Sequence, residues 1–148
     1  MVQAAGHARL RHNPSAEMSW QTTHIGRDYD ALAPDGSEIR LLVQVRGGSL
    51  VHCTLRPGHV TRAVRHKTVE EVWLCLAGHG QVWRHSPETN LDEIAEMTRG
   101  TSLSIPLGTH FQFRASGDEP LEIAITTMPP WPGDHEAEPV EGKWQPSP

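Results

Sequence analysis

Short stretches of alternating residues, separated by glycine and proline turns, run through most of the chain. The clearest is EVWLCLA at 71–77, where both interleaved sets of side chains are largely apolar. A period of two is the pattern of a β-strand, and apolar residues on both faces predict a strand that is covered on both sides. Gly78 and Gly80 follow directly and predict a turn.

Similar stretches continue along the chain, and none of them predicts a secure helix. The predicted strands are residues 39–45, 49–55, 60–66, 71–77, 81–84, 102–105, 111–115 and 121–127. Residues 91–97 fit a strand or a helical turn, because their apolar positions suit both periods. Many short strands at turn-punctuated spacing predict an all-β sandwich or barrel.

His66 and Glu71 stand out because of their positions on either side of one predicted loop. They lie five residues apart, at the end of strand 60–66 and the start of strand 71–77. If these strands pair, both side chains can point into the same interior. A buried imidazole beside a buried carboxylate is costly unless it has a task, so the pair is a candidate site.

Two glycine-framed motifs resemble those of a known family. They are GHVTRAVRHKTVEEVWLCLAG at 58–78 and GTSLSIPLGTHF at 100–111. Their glycine, histidine, glutamate and Pro-x-Gly spacing is similar to the two motifs of the cupins. The resemblance covers about residues 39–130 and is specific for fold rather than for function, because one fold hosts many chemistries.

The resemblance implies a single-domain, cupin-type antiparallel β-barrel or jelly roll, also called a double-stranded β-helix. In this interpretation residues 1–38 form an N-terminal arm and first turn, and residues 131–148 form a proline-rich, acidic tail that packs on the barrel. It also implies that residues 91–97 are a strand and that the protein is a homodimer.

The motifs depart from those of metal-binding cupins at two positions. The resemblance places the four usual ligands at Val64, His66, Glu71 and Phe111, so two of the four are lost. His110 lies one residue before Phe111, the last of these positions. In a strand, a shift of one residue turns the side chain to the opposite face unless a bulge changes its direction. One hypothesis is therefore a metal enzyme in which His66 and Glu71, joined by His110, His52 or water, bind Fe, Mn, Ni or Zn.

Alternation also predicts which side chains surround His66 and Glu71. The expected pocket residues are Arg62, Val64, Trp73, Cys75, Phe111 and Phe113. Such a pocket is aromatic and apolar, and it suits a flat or partly apolar small molecule. Arg62 could hold an anionic group of that ligand.

A second hypothesis is an enzyme that needs no metal. His66 would then be a general acid or base and Glu71 would orient or charge it, because a neighbouring carboxylate raises the pKa of an imidazole toward neutrality. This pair is sufficient for isomerase, epimerase, cyclase or lyase chemistry beside a carbonyl group. The third hypothesis is a non-catalytic small-molecule-binding protein in which the two residues form a structural pair.

Composition excludes some classes of function. The net charge of the 148 residues is −5 with neutral histidine, which argues against nucleic acid as a partner. No run of 18 apolar residues predicts a membrane span, and the first residues lack the apolar segment of a secretory signal. We therefore expect a cytoplasmic protein in which Cys53 and Cys75 are buried free thiols.

Overall fold

The computed structural model describes residues 19–148 of the chain. These residues form eleven β-strands and one 3-10 helical turn, joined by loops. In chain order the strands are β1 (Ala31–Leu32), β2 (Glu38–Val45), β3 (Gly48–Leu55), β4 (Val64–His66), β5 (Glu70–Ala77), β6 (His79–His85), β7 (Asp92–Met97), β8 (Ser102–Ile105), β9 (His110–Ser116), β10 (Leu121–Met128) and β11 (Ala137–Pro139). The 3-10 turn is Asp134–Glu136. No helix in this part of the chain has the length and apolar character needed to cross a membrane.

The strands form two antiparallel sheets. The first sheet has the order β1-β2-β3-β10-β5-β8, and the second has the order β11-β4-β9-β6-β7. Inward-facing side chains of both sheets share one core that includes Trp73 and Ile123 from the first sheet and Val82 and Phe113 from the second. The predicted all-β jelly roll is confirmed, although the two sheets are not closed into a continuous barrel.

The strand prediction is correct for most elements and wrong in part for residues 60–66. Only Val64–His66 forms β4, because the side-chain oxygen of Thr61 accepts a hydrogen bond from the backbone N–H of Phe113 and interrupts regular pairing. Val60 keeps an isolated bridge to Arg114. Residues 92–97 form β7, so the prediction of a strand is confirmed there and the alternative of a helical turn is wrong.

The predicted cover on both faces of β5 is also wrong for the described residues. Glu71, Trp73 and Cys75 face the core, but the outward side chains Val72 and Leu74 are 48% and 44% exposed. The outer face of the first sheet has no second layer over β5 in this part of the chain. An apolar stripe is therefore left at the surface.

Both cysteines are buried and free, as predicted. Cys53 on β3 and Cys75 on β5 pair with the same residue, Ile123 of β10, from its two sides. Burial raises the pKa of both thiols, so neither is a reactive thiolate at neutral pH.

Residues 131–148, named here the C-terminal strap, run along the edge and outer face of the second sheet. In the strap, β11 pairs with β4 at the sheet edge. Buried Gln112 of β9 accepts hydrogen bonds from the backbone N–H groups of Lys143 and Trp144. Farther along, the backbone N–H of Ser147 donates to the carbonyl of Val60.

The described sheets extend beyond the range predicted for the barrel. Strand β1 lies before residue 39 and β11 lies after residue 130. Residues 1–18 of the predicted arm lie outside the described residues.

Candidate functional site

A small cavity of about 50 Å³ lies between the two sheets. Its described polar lining consists of Asp35, Ser37, His66, Glu71 and Thr127, and its aromatic lining consists of Trp73, Phe111 and Trp131. Both sheets, the turn around residue 35 and the C-terminal strap therefore contribute to it.

The short β4–β5 connection brings His66 and Glu71 to this cavity. His66 ends β4 and Glu71 is the second residue of β5, and both side chains are inward and only 6% exposed. Glu136 of the strap fixes the connection, because its carboxylate accepts hydrogen bonds from the backbone N–H of Val69 at 2.6 Å and from the hydroxyl of Thr68 at 2.8 Å.

The two candidate groups face each other without a hydrogen bond. His66 Nδ1 lies 3.9 Å from Glu71 Oε1, which is too far for one. Glu71 Oε1 instead accepts a hydrogen bond from Trp73 Nε1 at 3.2 Å. The His66 ring makes edge contacts with Phe111 and Trp131, at centroid distances of 5.2 and 5.0 Å.

Burial sets the protonation of the pair. Desolvation raises the pKa of Glu71 to about 8, against the smaller opposing effect of the Trp73 hydrogen bond. Desolvation lowers the pKa of His66 to about 4, against the attraction of the Glu136 carboxylate. Both groups are therefore neutral at pH 7, and the contact is not an ion pair. The expectation that Glu71 raises the pKa of His66 toward neutrality is wrong, because desolvation dominates and Glu71 holds its own proton.

Two residues that line the cavity each have a buried nitrogen without a hydrogen-bond partner among the described residues. These nitrogens are His66 Nδ1 and Trp131 Nε1. Buried polar atoms in folded proteins nearly always have partners, so each unpaired atom calls for an explanation. A ligand in the cavity is one that fits both atoms.

Comparison with solved structures identifies the fold. A Bacillus halodurans protein matches with a TM-score of 0.58 and 22% identity over 64% of this chain and 74% of its own. The Schizosaccharomyces pombe Cnp3 cupin domain matches with a TM-score of 0.56 and 13% identity over 63% of this chain and 64% of its own. The chain has a cupin fold. KdgF from Halomonas sp. matches with a TM-score of 0.58 and 14% identity over 72% of this chain and 93% of its own. No protein-family model and no curated protein matches the sequence.

The donor set at the cupin metal positions does not fit a transition metal. Val64 and Phe111 are cross-strand partners that line the cavity with carbon atoms only. In the described part of the chain, no group of three or more His, Cys, Asp or Glu could hold a metal ion. Protein sites for such metals normally have three or four protein ligands, and here His66 and Glu71 supply two.

The predicted third ligand, His110, does not join them. Strand β9 runs without a bulge from His110 to Phe111, so His110 lies on the outer face of the second sheet beside His85, at a ring-centroid distance of 5.7 Å. His52, the other candidate, lies on the outer face of the first sheet, where its Nε2 is 3.0 Å from Glu122 Oε1.

The remaining predicted pocket residues divide into two groups. Val64, Trp73 and Phe111 line the cavity. Cys75 and Phe113 are buried in the core beyond it, where Phe113 packs on Trp73 at 5.1 Å.

Arg62 lies outside the cavity because alternation fails before β4. Its side chain is exposed, and it donates to the carbonyl of Pro34 at 3.2 Å. The cavity therefore lacks the cation that the sequence predicted for an anionic ligand.

Asp35, Trp131 and Glu136 are among the site residues that were not predicted from the sequence. Asp35 belongs to a Pro-Asp-Gly segment whose only visible signal is a turn, and its side chain accepts hydrogen bonds from Ser37. Trp131 and Glu136 lie in the strap, which has no periodic pattern. The tryptophan in a proline-rich tail predicted surface packing but not a place beside His66.

Proposed function

We propose that this protein is a small-molecule enzyme that moves a proton beside a carbonyl group, with His66 as general base and Glu71 as general acid. The observation that supports this is the pair of buried, neutral groups facing one cavity 3.9 Å apart with no hydrogen bond between them. A neutral carboxyl group can donate a proton, and a neutral imidazole can accept one.

The reaction begins with proton transfer at carbon. His66 Nδ1 takes the proton from the carbon beside the carbonyl, and the C–H electron pair forms the new C=C bond. Glu71 gives its proton to the carbonyl oxygen, so the substrate becomes a neutral enol while imidazolium and carboxylate remain. Return of the proton to the opposite face or to another carbon gives an epimer or isomer. Elimination or ring closure from the enol gives lyase or cyclase chemistry.

The surroundings of His66 offset the cost of charging it. Imidazolium and carboxylate form together at short distance in a site of low dielectric, where their attraction is strong. Glu136 adds a second negative charge. Burial alone would raise its pKa, but the hydrogen bonds from Thr68 and Val69 and the nearby His66 lower the pKa below its usual value. Glu136 is a positioning residue in this proposal, because it holds the β4–β5 connection and favours protonated His66.

Deuterium exchange at carbon tests the proposed proton transfer. The protein is incubated in D₂O with neutral ketones such as acetone and hydroxyacetone and with the anion pyruvate, and loss of the α-proton signal is followed by proton NMR. We expect catalysed exchange for at least one compound, and a loss of about 10²–10⁴-fold in His66→Ala and in Glu71→Gln, the usual contribution of general acid–base catalysis.

His110→Ala is the matched control, because it removes a histidine outside the cavity, and its exchange rate should equal that of the parent. If the parent binds a carbonyl compound but exchanges no α-proton, the enzyme proposal is wrong and the non-catalytic binding hypothesis is supported. Exchange that survives in both cavity variants would also contradict it.

A further inference from the structure

We propose that the cavity accepts the uncharged carbonyl end of a very small ligand, that it rejects carboxylates, and that Trp131 Nε1 donates a hydrogen bond to the carbonyl oxygen. This inference names the ligand class for the site of the proposed function and rests on it for the chemistry only. Size, charge and hydrogen-bond donors each support it.

The volume of the cavity limits the buried part of the ligand. It is about 50 Å³, whereas an apolar cavity of about 150 Å³ binds benzene. By that scale the cavity holds about two to four non-hydrogen atoms. It is far below the roughly 300–1,000 Å³ of sites that enclose drug-sized molecules.

The charges around the cavity select against anions. None of the described lining residues is an arginine or lysine, and Asp35 and Glu71 become negative when they ionise. The third titratable group, His66, is neutral at pH 7 because burial lowers its pKa to about 4. A carboxylate there would lose its hydration without gaining a cation, which is strongly unfavourable. A ketone, aldehyde or amide has no such cost.

The unpaired indole N–H of Trp131 favours a ligand oxygen. Trp131 Nε1 can only donate, and it is buried without a partner among the described residues. Trp131 is held in place by the strap, where its backbone N–H donates to the hydroxyl of Ser49. The centroid of its indole lies 5.0 Å from that of the His66 ring, so Trp131 lies beside the proposed base.

Indole NMR signals test the inference directly. The ¹⁵N-labelled protein is titrated at pH 7 with acetone, acetamide and acetate, which have equal numbers of non-hydrogen atoms and differ in charge. The chain has five tryptophans, and Trp131→Phe assigns the Trp131 signal. The Trp83 indole donates to Asp92 outside the cavity and serves as an internal control.

We expect acetone and acetamide to shift the Trp131 indole signal, with at least tenfold weaker binding of acetate and no movement of the Trp83 signal. Loss of one neutral hydrogen bond in Trp131→Phe should weaken acetone binding about three- to tenfold. Trp83→Phe, which removes a buried indole elsewhere, should leave that affinity unchanged.

Three outcomes would overturn the inference: acetate binding as tightly as acetone, no Trp131 shift with either neutral probe, or unchanged acetone affinity in a folded Trp131→Phe variant. The comparison of probes on the parent protein needs no variant, so a misfolded Trp131→Phe leaves the charge test intact. Exchange on pyruvate but not on acetone would support the proposed proton transfer and reject the ligand class. Acetone binding without exchange would support the ligand class and reject the proposed proton transfer.

Discussion

A carboxyl group surrounded mostly by aromatic and aliphatic side chains, as Glu71 is, holds its proton more tightly than it would in water. The same surroundings keep His66 neutral, because an imidazolium there would lose its hydration. Both groups share a cavity with Trp73, Phe111 and Trp131. The protonation states on which the proposed chemistry depends are thus a consequence of packing.

The pH dependence of stability checks the protonation of Glu71. Its pKa rises from 4.5 in the unfolded chain to about 8 in the folded one, so its favourable contribution is complete below pH 4.5 and is lost as the pH rises to about 8. Glu71→Gln does not titrate. Relative to the parent, this variant should therefore gain stability between pH 5 and 8, by at most about 1.4 kcal/mol per pH unit. Urea unfolding at each pH measures the difference.

The exposed neighbour provides the control, since Glu70→Gln changes a carboxyl group of the same strand that faces solvent. A difference between Glu71→Gln and the parent that stays constant from pH 5 to 8 would mean that Glu71 is ionised in the folded protein.

At the scale of elements, the strap completes the cavity that the two sheets leave open. It contributes Trp131 to the lining, and Glu136 to the β4–β5 connection. Its far end is fastened by Gln112, whose Nε2 donates to the carbonyls of Thr61 and Trp144 at 2.8 Å. Four hydrogen bonds of one buried side chain thus connect β9, the segment before β4, and the strap.

Removing this anchor should loosen the strap. Gln112→Ala leaves a buried carbonyl of residue 61 and part-buried backbone groups of residues 143 and 144 without this partner, which should lower the free energy of unfolding by about 1–3 kcal/mol. The amide protons of Lys143 and Trp144 should lose protection in hydrogen exchange, while that of Val69, held by Glu136, should keep it. Gln44→Ala, which removes a half-buried glutamine from β2 in the first sheet, is the control. Retained protection at residues 143 and 144 would show that Gln112 does not anchor the strap.

Periodic elements could be predicted from the sequence and the irregular ones could not. Alternation along β5 and β9 correctly identified Trp73 and Phe111 as inward residues. His66 and Glu71 meet at the cavity as expected, but not through the expected strand pairing, because β4 lies in the second sheet and β5 in the first. The prediction for Arg62 failed because the hydroxyl oxygen of the neighbouring Thr61 accepts a hydrogen bond from the backbone N–H of Phe113, which ends the alternation. The contact of Trp131 with His66 could not be predicted, because the two residues are far apart in the sequence. Trp131 also lies in the strap, whose apolar and polar residues follow no periodic pattern.

At the scale of the whole molecule, the outer face of the first sheet carries an uncharged stripe. Exposed Val72 and Leu74 of β5 lie between Ser102 and Ser104 of β8 and Ala124 and Thr126 of β10 in the sheet register. Two copies could pack this face together about a twofold axis without burying an unpaired charge. We propose that a second copy of the chain covers it.

A charged side chain in the stripe should dissociate the proposed dimer. We expect the parent to have the mass of a dimer in light scattering, and Leu74→Lys to have that of a monomer, because the new charge would be buried at the interface. Leu91→Lys places the same charge on a 71% exposed leucine between β6 and β7 of the second sheet, and it should remain a dimer. A monomeric parent would contradict the proposal.

The arrangement of the two cysteines has a consequence for oxidation. Because β10 lies between β3 and β5, Cys53 and Cys75 are separated by two strand spacings, or about 9–10 Å between backbones. A disulfide requires Cα atoms within about 7 Å, so the central strand would have to leave the sheet before the sulfur atoms could bond. The folded chain therefore cannot form a disulfide between its own two cysteines. Its covalent structure within one chain is the same in oxidising and in reducing surroundings.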